Sequence, residues 1–238
     1  MYHLSIVIPA YNEEKKISKD IEAAYKYFNE YSIRGEVIIV NDGSQDQTYN
    51  IAFSFSKKYS SLRVLTYEKN QGKGYAIKTG ILEATGEVIM FADAGLCVPF
   101  KYANTGLDLL KNGNDIAIGS RRSQDNKTKI LVKQPLYRTL GSKLFQFLIK
   151  SFNLISRDIE DTQCGFKLFN KQIAHSIFKK LVTKKFMYDI EILRLASKEG
   201  YKIAVFPVEW SNDPDTRFNP LFGSLENFLQ IIYIIVKT

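Results

Sequence analysis

The sequence predicts an α/β fold built on a mostly parallel central sheet flanked by helices. Three observations carry this. Short β-rich runs recur through the first 120 residues, and helical segments follow them. Several runs, such as Val37–Val40 and Val88–Ala92, are continuously apolar, as strands covered on both faces are. Polar segments fall at their ends: Tyr11-Asn12-Glu13, Asn41-Asp42-Gly43-Ser44 and Asp93-Ala94-Gly95. Such sheets hold ligands at the carboxyl ends of their strands.

The elements follow in order. Leu4–Ile8 is a short apolar strand ended by Pro9, and Glu14–Tyr31 has helical character. Glu36–Val40 reads as a second strand. Ser44 or Asp46 is placed to cap a helix running to about Tyr59. Leu62–Leu65 is a third strand, Gly74–Ala84 a helix, Glu87–Phe91 a fourth strand and Asp115–Ile118 a fifth. Ser123–Lys133 is polar and basic, which predicts a loop. Tyr137–Asn153 is an amphipathic helix. Asp161–Phe169 mixes glycine, cysteine and aromatics without a clear period. Lys171–Lys180 and Tyr188–Gly200 read as helices, the second stopped by Gly200. Tyr201–Trp210 alternates like a strand, and Phe218–Lys237 is apolar with helical spacing. Without a repeat or a Gly/Ser-rich linker, one domain over 1–238 is the simplest division.

Composition bounds the class. The 238 residues are 45% hydrophobic and 24% charged, too apolar for a disordered chain. No apolar run reaches the roughly 18–20 residues that span a bilayer. The N-terminal residues have no basic region followed by a long apolar one, so no signal peptide is expected. Cys97 and Cys164 are too few for a disulfide scaffold or a cysteine zinc site, and a cytosol-facing location is expected. The net charge is +8, and it is local: Arg121–Lys185 holds 15 basic and 4 acidic residues, a surplus of +11. That stretch suits phosphates, an anionic membrane surface or nucleic acid, or else forms a solvated lysine-rich face. Nucleic acid is disfavoured, because aromatic and basic residues do not interleave as in a binding module.

Several residues are suited to chemistry. Asp42 can accept hydrogen bonds from a base or ribose, with Gly43 permitting close approach; an ordinary strand–helix turn fits the same residues. Lys73, bracketed by Gly72 and Gly74 ahead of a helix, suits a phosphate or diphosphate, or is an exposed loop lysine. Asp93 ends a very apolar strand and should face a cleft or a cation, such as a hard divalent ion on a diphosphate; otherwise it caps a helix. Arg138 and Ser142, four apart, share a helix face, and Arg121 lies in the same basic stretch. Guanidinium forks bind phosphate, although each arginine also reads as a surface residue. Asp161, Asp189 and Glu191 place carboxylates in apolar contexts, to position or activate an acceptor, or, for Asp189, to cap a helix. His3 and His175 are isolated and read as structural, and Cys164 as packed rather than reactive.

Taken in order, the motifs resemble glycosyltransferase family 2. They are Ile6–Glu13, Val40–Ser44, Asn70–Gly74, Asp93 and Gly119-Ser120-Arg121, then Asp161–Lys167 and Phe186–Glu191. The last two are similar to the polyprenyl-phosphate branch, which includes dolichyl-phosphate glucosyl- and mannosyltransferases. The resemblance covers nearly the whole chain. It implies a GT-A fold and an inverting hexose transfer from a nucleotide sugar to a polyprenyl phosphate, with UDP-glucose favoured and GDP-mannose second. It implies that Pro9, Tyr11, Glu13, Asp42, Gly43, Lys73, Asp93 and Ala94 hold the nucleotide sugar. Asp93 ligates Mg²⁺ or Mn²⁺. Arg121, Arg138 and Ser142 hold the acceptor phosphate, and Asp93, Asp161, Asp189 and Glu191 line the catalytic side. Residues 1–120 form the nucleotide-sugar half and 121–238 the acceptor half. The implied setting is peripheral, on the cytoplasmic face of a membrane, with Leu225–Val236 lying in the interface or packed on the core. One position departs: where the family usually has Asp-Ala-Asp, this chain has Asp93-Ala94-Gly95, so the second metal-binding carboxylate is missing. A saccharide hydroxyl as acceptor, or a non-catalytic binding partner, are the alternative readings.

Overall fold

The computed structural model describes residues 2–121 and 159–211, with Gln230, Tyr233, Ile234 and Lys237. The loop expected over Ser123–Lys133, the helix over Tyr137–Asn153, and Arg138 and Ser142 lie outside the described residues.

The described chain alternates as expected. Strands β1 (Leu4–Ala10), β2 (Gly35–Asn41), β3 (Leu62–Thr66), β4 (Val88–Ala92) and β5 (Ile116–Ser120) are separated by α1 (Ile17–Glu30), α2 (Thr48–Lys58), α3 (Lys73–Glu83) and α4 (Ala103–Lys111). Then come β6 (Phe166–Asn170), α5 (Lys171–Lys180), α6 (Tyr188–Lys198) and β7 (Ile203–Pro207). The seven strands form one sheet in the order β3-β2-β1-β4-β6-β5-β7. Only β6 runs antiparallel, paired to β4 on one side and β5 on the other. All other pairs are parallel.

Period-two alternation divides the sheet's side chains between two cores. Leu4, Ile6 and Ile8 join Ile17, Ile21 and Phe28 of α1, with Ala52 of α2 and Leu107 of α4. Val7, Ile38 and Val40 join Ala76, Ile77 and Ile81 of α3, Ile177 and Phe178 of α5, and Ile190 and Leu193 of α6. Burial on both faces is why the runs are continuously apolar. Helix α3 lies unusually close: a Cβ at Gly80 would stand 2.3 Å from a Val7 methyl. At the end of α6, Gly200 adopts φ +75°. Its amide donates to Ser197 O and the Tyr201 amide to Ala196 O, so the expected stop is a Schellman motif.

Three readings of elements change. Asp161–Phe169 contains the start of β6, hidden because the buried Lys167 interrupts its short apolar run. Helix α4 is absent from the sequence reading, although Ala103, Gly106, Leu107 and Leu110 are buried at helical spacing. At α2, Asp46 rather than Ser44 holds the first turn: its Oδ1 accepts from the Thr48 amide at 3.0 Å. Ser44 Oγ instead accepts from the Asn12 amide at 2.8 Å and ties the loop after β1 to the loop after β2. Near the C-terminus, Ile234 is helical and fully buried in the second core, while Tyr233 is exposed. Among the described residues, no helix is long and apolar enough to cross a membrane.

Candidate active site

The parallel order sets the loops after β1, β2, β3 and β4 along one edge. Because β6 is inverted, its beginning reaches the same edge: Ala92 pairs with Phe166, and the Asp93 amide donates to Gly165 O at 3.0 Å. The Asp93 carboxyl lies so near this backbone that a Cβ at Gly165 would be 2.1 Å from it. Only glycine fits there.

Asp42, at the end of β2, is buried and turned inward. Its carboxylate accepts the amides of Gln71 at 2.7 Å and Gly72 at 3.0 Å, and the Asn70 side chain at 2.9 Å. It therefore shapes the loop that leads into α3. Burial raises its pKa against the pull of those donors. Gly72 carries φ +102° at the start of α3. The Tyr75 amide in the first turn donates to Lys184 O at 2.9 Å, so the loop between α5 and α6 packs on this helix end.

Lys73 is the first residue of α3, and its Nζ lies 2.6 Å from Asp93 Oδ1. The cation expected to face Asp93 is thus partly supplied by the chain itself. Both side chains are a little over a quarter exposed, at 28% and 29%. Burial works against the Lys73 charge, but Asp93 and then Asp189 outweigh it, and its pKa rises. Beneath them is a second pair, with Lys167 fully buried. Lys167 Nζ donates to Asp189 Oδ1 at 2.5 Å and to Cys164 O at 2.7 Å, 5.4 Å from the Phe91 ring centre. Burial raises the pKa of Asp189, and Lys167 opposes it. Asp189 therefore does not cap α6. Cys164 is packed, as expected, and burial pushes its thiol up to about 12.

The remaining candidates are engaged elsewhere. Asp161 receives a fork from Arg121: Nε to Oδ2 at 2.8 Å and Nη2 to Oδ1 at 2.7 Å, with the Arg121 amide adding a third bond at 2.8 Å. Burial alone would raise the Asp161 pKa, but Arg121 overrides it and holds the carboxyl below its ordinary value. The guanidinium stands over the Trp210 ring at 5.4 Å. Glu191 is fully buried. Its oxygens accept the amides of Val182 and Thr183, each at 2.8 Å, and the Thr183 hydroxyl at 2.6 Å. It thus anchors the α5–α6 loop rather than lining the site with Asp189. Pro9, Tyr11, Glu13, Gly43 and Ala94 are partly buried at the expected edge. The Glu13 amide donates to Thr48 Oγ1 at 2.6 Å.

Residues 5–178 match the glycosyl transferase family 2 model. The chain belongs to glycosyltransferase family 2. This glycosyltransferase is 35% identical to the human dolichyl-phosphate beta-glucosyltransferase, over 98% of this chain and 75% of that protein. It is 33% identical to the Dictyostelium discoideum dolichyl-phosphate beta-glucosyltransferase, over 98% and 73%. Among solved structures it resembles glucosyl-3-phosphoglycerate synthase from Mycobacterium tuberculosis in complex with Mn²⁺, UDP and glucosyl-3-phosphoglycerate. The TM-score is 0.71 at 17% identity, covering 99% of this chain and 79% of that one. The fold is therefore GT-A, as the motifs implied.

For a divalent ion, the glycosyltransferase offers the Asp93 carboxylate at a partly exposed strand end. Mg²⁺ is commonly held by one or two carboxylates plus substrate phosphates, so one carboxylate meets the minimum. Among the described residues, no group of three or more His, Cys, Asp and Glu side chains could hold an ion by itself. His3 instead contacts Glu87 at 3.2 Å.

Two contributors escape sequence reasoning. Asp20 of α1 is buried and accepts the Gly95 amide at 2.9 and 3.0 Å and the Leu96 amide at 3.0 Å. Gly95 (φ +94°) and Leu96 (φ +50°) turn the chain back just after Asp93, and Asp20 fastens that turn. The available signal is a lone acid on the stripe Ile17, Asp20, Ile21, Ala24. Lys167 is the other: a lysine inside the apolar run Phe166–Phe169 needs a buried anion.

Proposed function

We propose that this glycosyltransferase moves glucose from UDP-glucose to a dolichyl-type polyprenyl phosphate, with inversion at the sugar carbon. The observation that carries the reading is the near-full-length likeness to dolichyl-phosphate beta-glucosyltransferases. The site chemistry supports it. A phosphate monoester is largely ionised near neutrality, its second pKa being about 6. It attacks the sugar without a strong base, whereas a saccharide hydroxyl needs one. The buried carboxylates are poorly suited to act as that base. Asp161 is tied to Arg121, Asp189 to Lys167 and Glu191 to backbone amides.

In the reaction, an acceptor phosphate oxygen bonds to the sugar carbon as the bond to the diphosphate breaks, releasing UDP. Lys73 and the first turn of α3 face the negative charge that develops there. A divalent ion on Asp93, Mg²⁺ or Mn²⁺, supplies further neutralisation of the leaving diphosphate when bound. Mn²⁺ accompanying UDP in a solved GT-A neighbour supports this. Asp42 fixes the loop carrying Lys73, and Pro9, Tyr11, Glu13, Gly43 and Ala94 border the nucleoside. Arg138 and Ser142 take the acceptor phosphate, and Arg121, already forked to Asp161, braces that side. Residues 1–120 serve the nucleotide sugar and 121–238 the acceptor. The +11 stretch suits a peripheral position on the cytoplasmic face of a membrane.

The test is a radiolabelled transfer assay with UDP-glucose, GDP-mannose and UDP-N-acetylglucosamine, each with dolichyl phosphate, with and without Mg²⁺ or Mn²⁺. The expected outcome is label entering the organic phase from UDP-glucose alone. Label from GDP-mannose would overturn the choice of sugar. Turnover of UDP-glucose with no label in the organic phase would overturn the acceptor. UDP binding without turnover would leave a non-catalytic partner.

A further inference from the structure

The missing second carboxylate and the Lys73–Asp93 contact bear on how a metal enters this site. A pair of carboxylates carries −2, so one ammonium leaves a net negative charge to attract a dication. Here Gly95 brings no carboxylate, and Lys73 Nζ, 2.6 Å from Asp93, takes the local charge to zero. Two neighbouring acids add attraction at a distance at most, because each is engaged as a ligand elsewhere. Asp189 is matched by Lys167 and Asp161 by Arg121. The Gly95 amide itself is held by Asp20. A free dication must therefore displace a tethered ammonium to gain a single protein ligand, which is a poor exchange for an ion that seeks about six oxygens.

We propose that Lys73 makes metal loading conditional on nucleotide. Without nucleotide its ammonium holds Asp93. An arriving diphosphate draws the ammonium to its own oxygens, which uncovers Asp93 and brings the oxygens that complete the ion's shell. Nucleotide binds first or together with the metal, and metal alone does not bind. The proposal rests on reading the cleft as a nucleotide-sugar site, and the experiment separates the two.

Purified, metal-stripped protein is titrated with Mn²⁺ while the signal of free Mn²⁺ is followed by electron paramagnetic resonance, with and without saturating UDP. UDP binding is followed separately by calorimetry. The wild type is expected to take up Mn²⁺ only with UDP, beyond the amount that the same UDP holds without protein. Lys73→Met is expected to take up Mn²⁺ without UDP at least about tenfold more tightly than wild type, and to bind UDP alone about tenfold more weakly, the worth of one charge-assisted contact. Equal Mn²⁺ uptake by wild type with and without UDP overturns the proposal, as does Lys73→Met that leaves the nucleotide-free Mn²⁺ affinity unchanged. Should Lys73→Met not fold, Lys73→Gln takes its place with the same expected and overturning results. Absence of UDP binding under every condition would instead overturn the nucleotide-sugar reading.

Discussion

At the scale of single residues, the site consists of acids already matched by the chain's own cations and amides. The Arg121–Asp161 fork is the most complete: three bonds reach one buried carboxylate. Asp161→Asn keeps the shape but leaves the guanidinium without its counter-charge. The arginine side chain is 23% exposed, so water softens the loss. We expect about 2 kcal/mol lower stability in urea unfolding, below the range for fully buried pairs. Arg121→Lys, which keeps charge but not the fork, should lose less. Asp20 makes a second prediction. Burial raises its pKa to about 7, from an ordinary value of 3.8, against the pull of the Gly95 and Leu96 amides. Between those values the folded protein holds the proton more tightly than the unfolded chain. Its contribution is therefore complete below pH 4 and is lost as pH rises through about 7, at up to about 1.4 kcal/mol per pH unit. Melting temperatures of wild type and Asp20→Asn across pH 4–7 check this: the wild-type advantage should shrink as pH rises. Parallel profiles would contradict it.

At the scale of elements, the inverted strand β6 builds the floor of the site. Its entry through Cys164 and Gly165 meets the exit of β4, and Lys167 projects from it to Asp189. Gly165→Ala would put a methyl group into the Asp93 carboxyl. We expect transfer to fall on the order of a hundredfold, the penalty of moving a reacting group by about 1 Å. Far-UV circular dichroism should be unchanged, because Gly165 precedes β6 rather than lying within it. Wild-type turnover in this variant would show that Asp93 need not sit where it does. The loop between α5 and α6 has a comparable role. Glu191 grips it from within, and Lys184 O receives the Tyr75 amide, so α6 and α3 are registered to each other beside Lys73.

At the scale of the molecule, the charge asymmetry carries a prediction. Residues Arg121–Lys185 hold +11 while the rest holds −3. Cosedimentation with vesicles containing phosphatidylglycerol should be strong at low salt, and weak with phosphatidylcholine alone. It should decline as the screening length falls below about 8 Å near physiological ionic strength. Salt-independent binding would point to apolar insertion in place of charge. The order of the sheet belongs to this scale as well: β6 returns between β4 and β5 and brings a distant segment against Asp93.

The alternating architecture, the apolar strands, the stop at Gly200 and the placing of Asp42, Lys73 and Asp93 at the ends of elements are all legible in the residues. These are local signals: periodicity, glycine at a positive φ, and polar residues at strand ends. The residues alone do not show which acid meets which cation. Asp161 and Asp189 look alike in the sequence, yet one is forked by Arg121, 40 positions away, and the other is held by Lys167, 22 positions away. Glu191 looks like a partner of Asp189, but along a helix residues two apart do not face each other. Its carboxylate goes to the α5–α6 loop. Asp20 looks like one more residue of a helix, because its amide partners lie 75 and 76 positions downstream. Pairing across such distances depends on strand order and on the inversion of β6, which no local pattern of residues specifies.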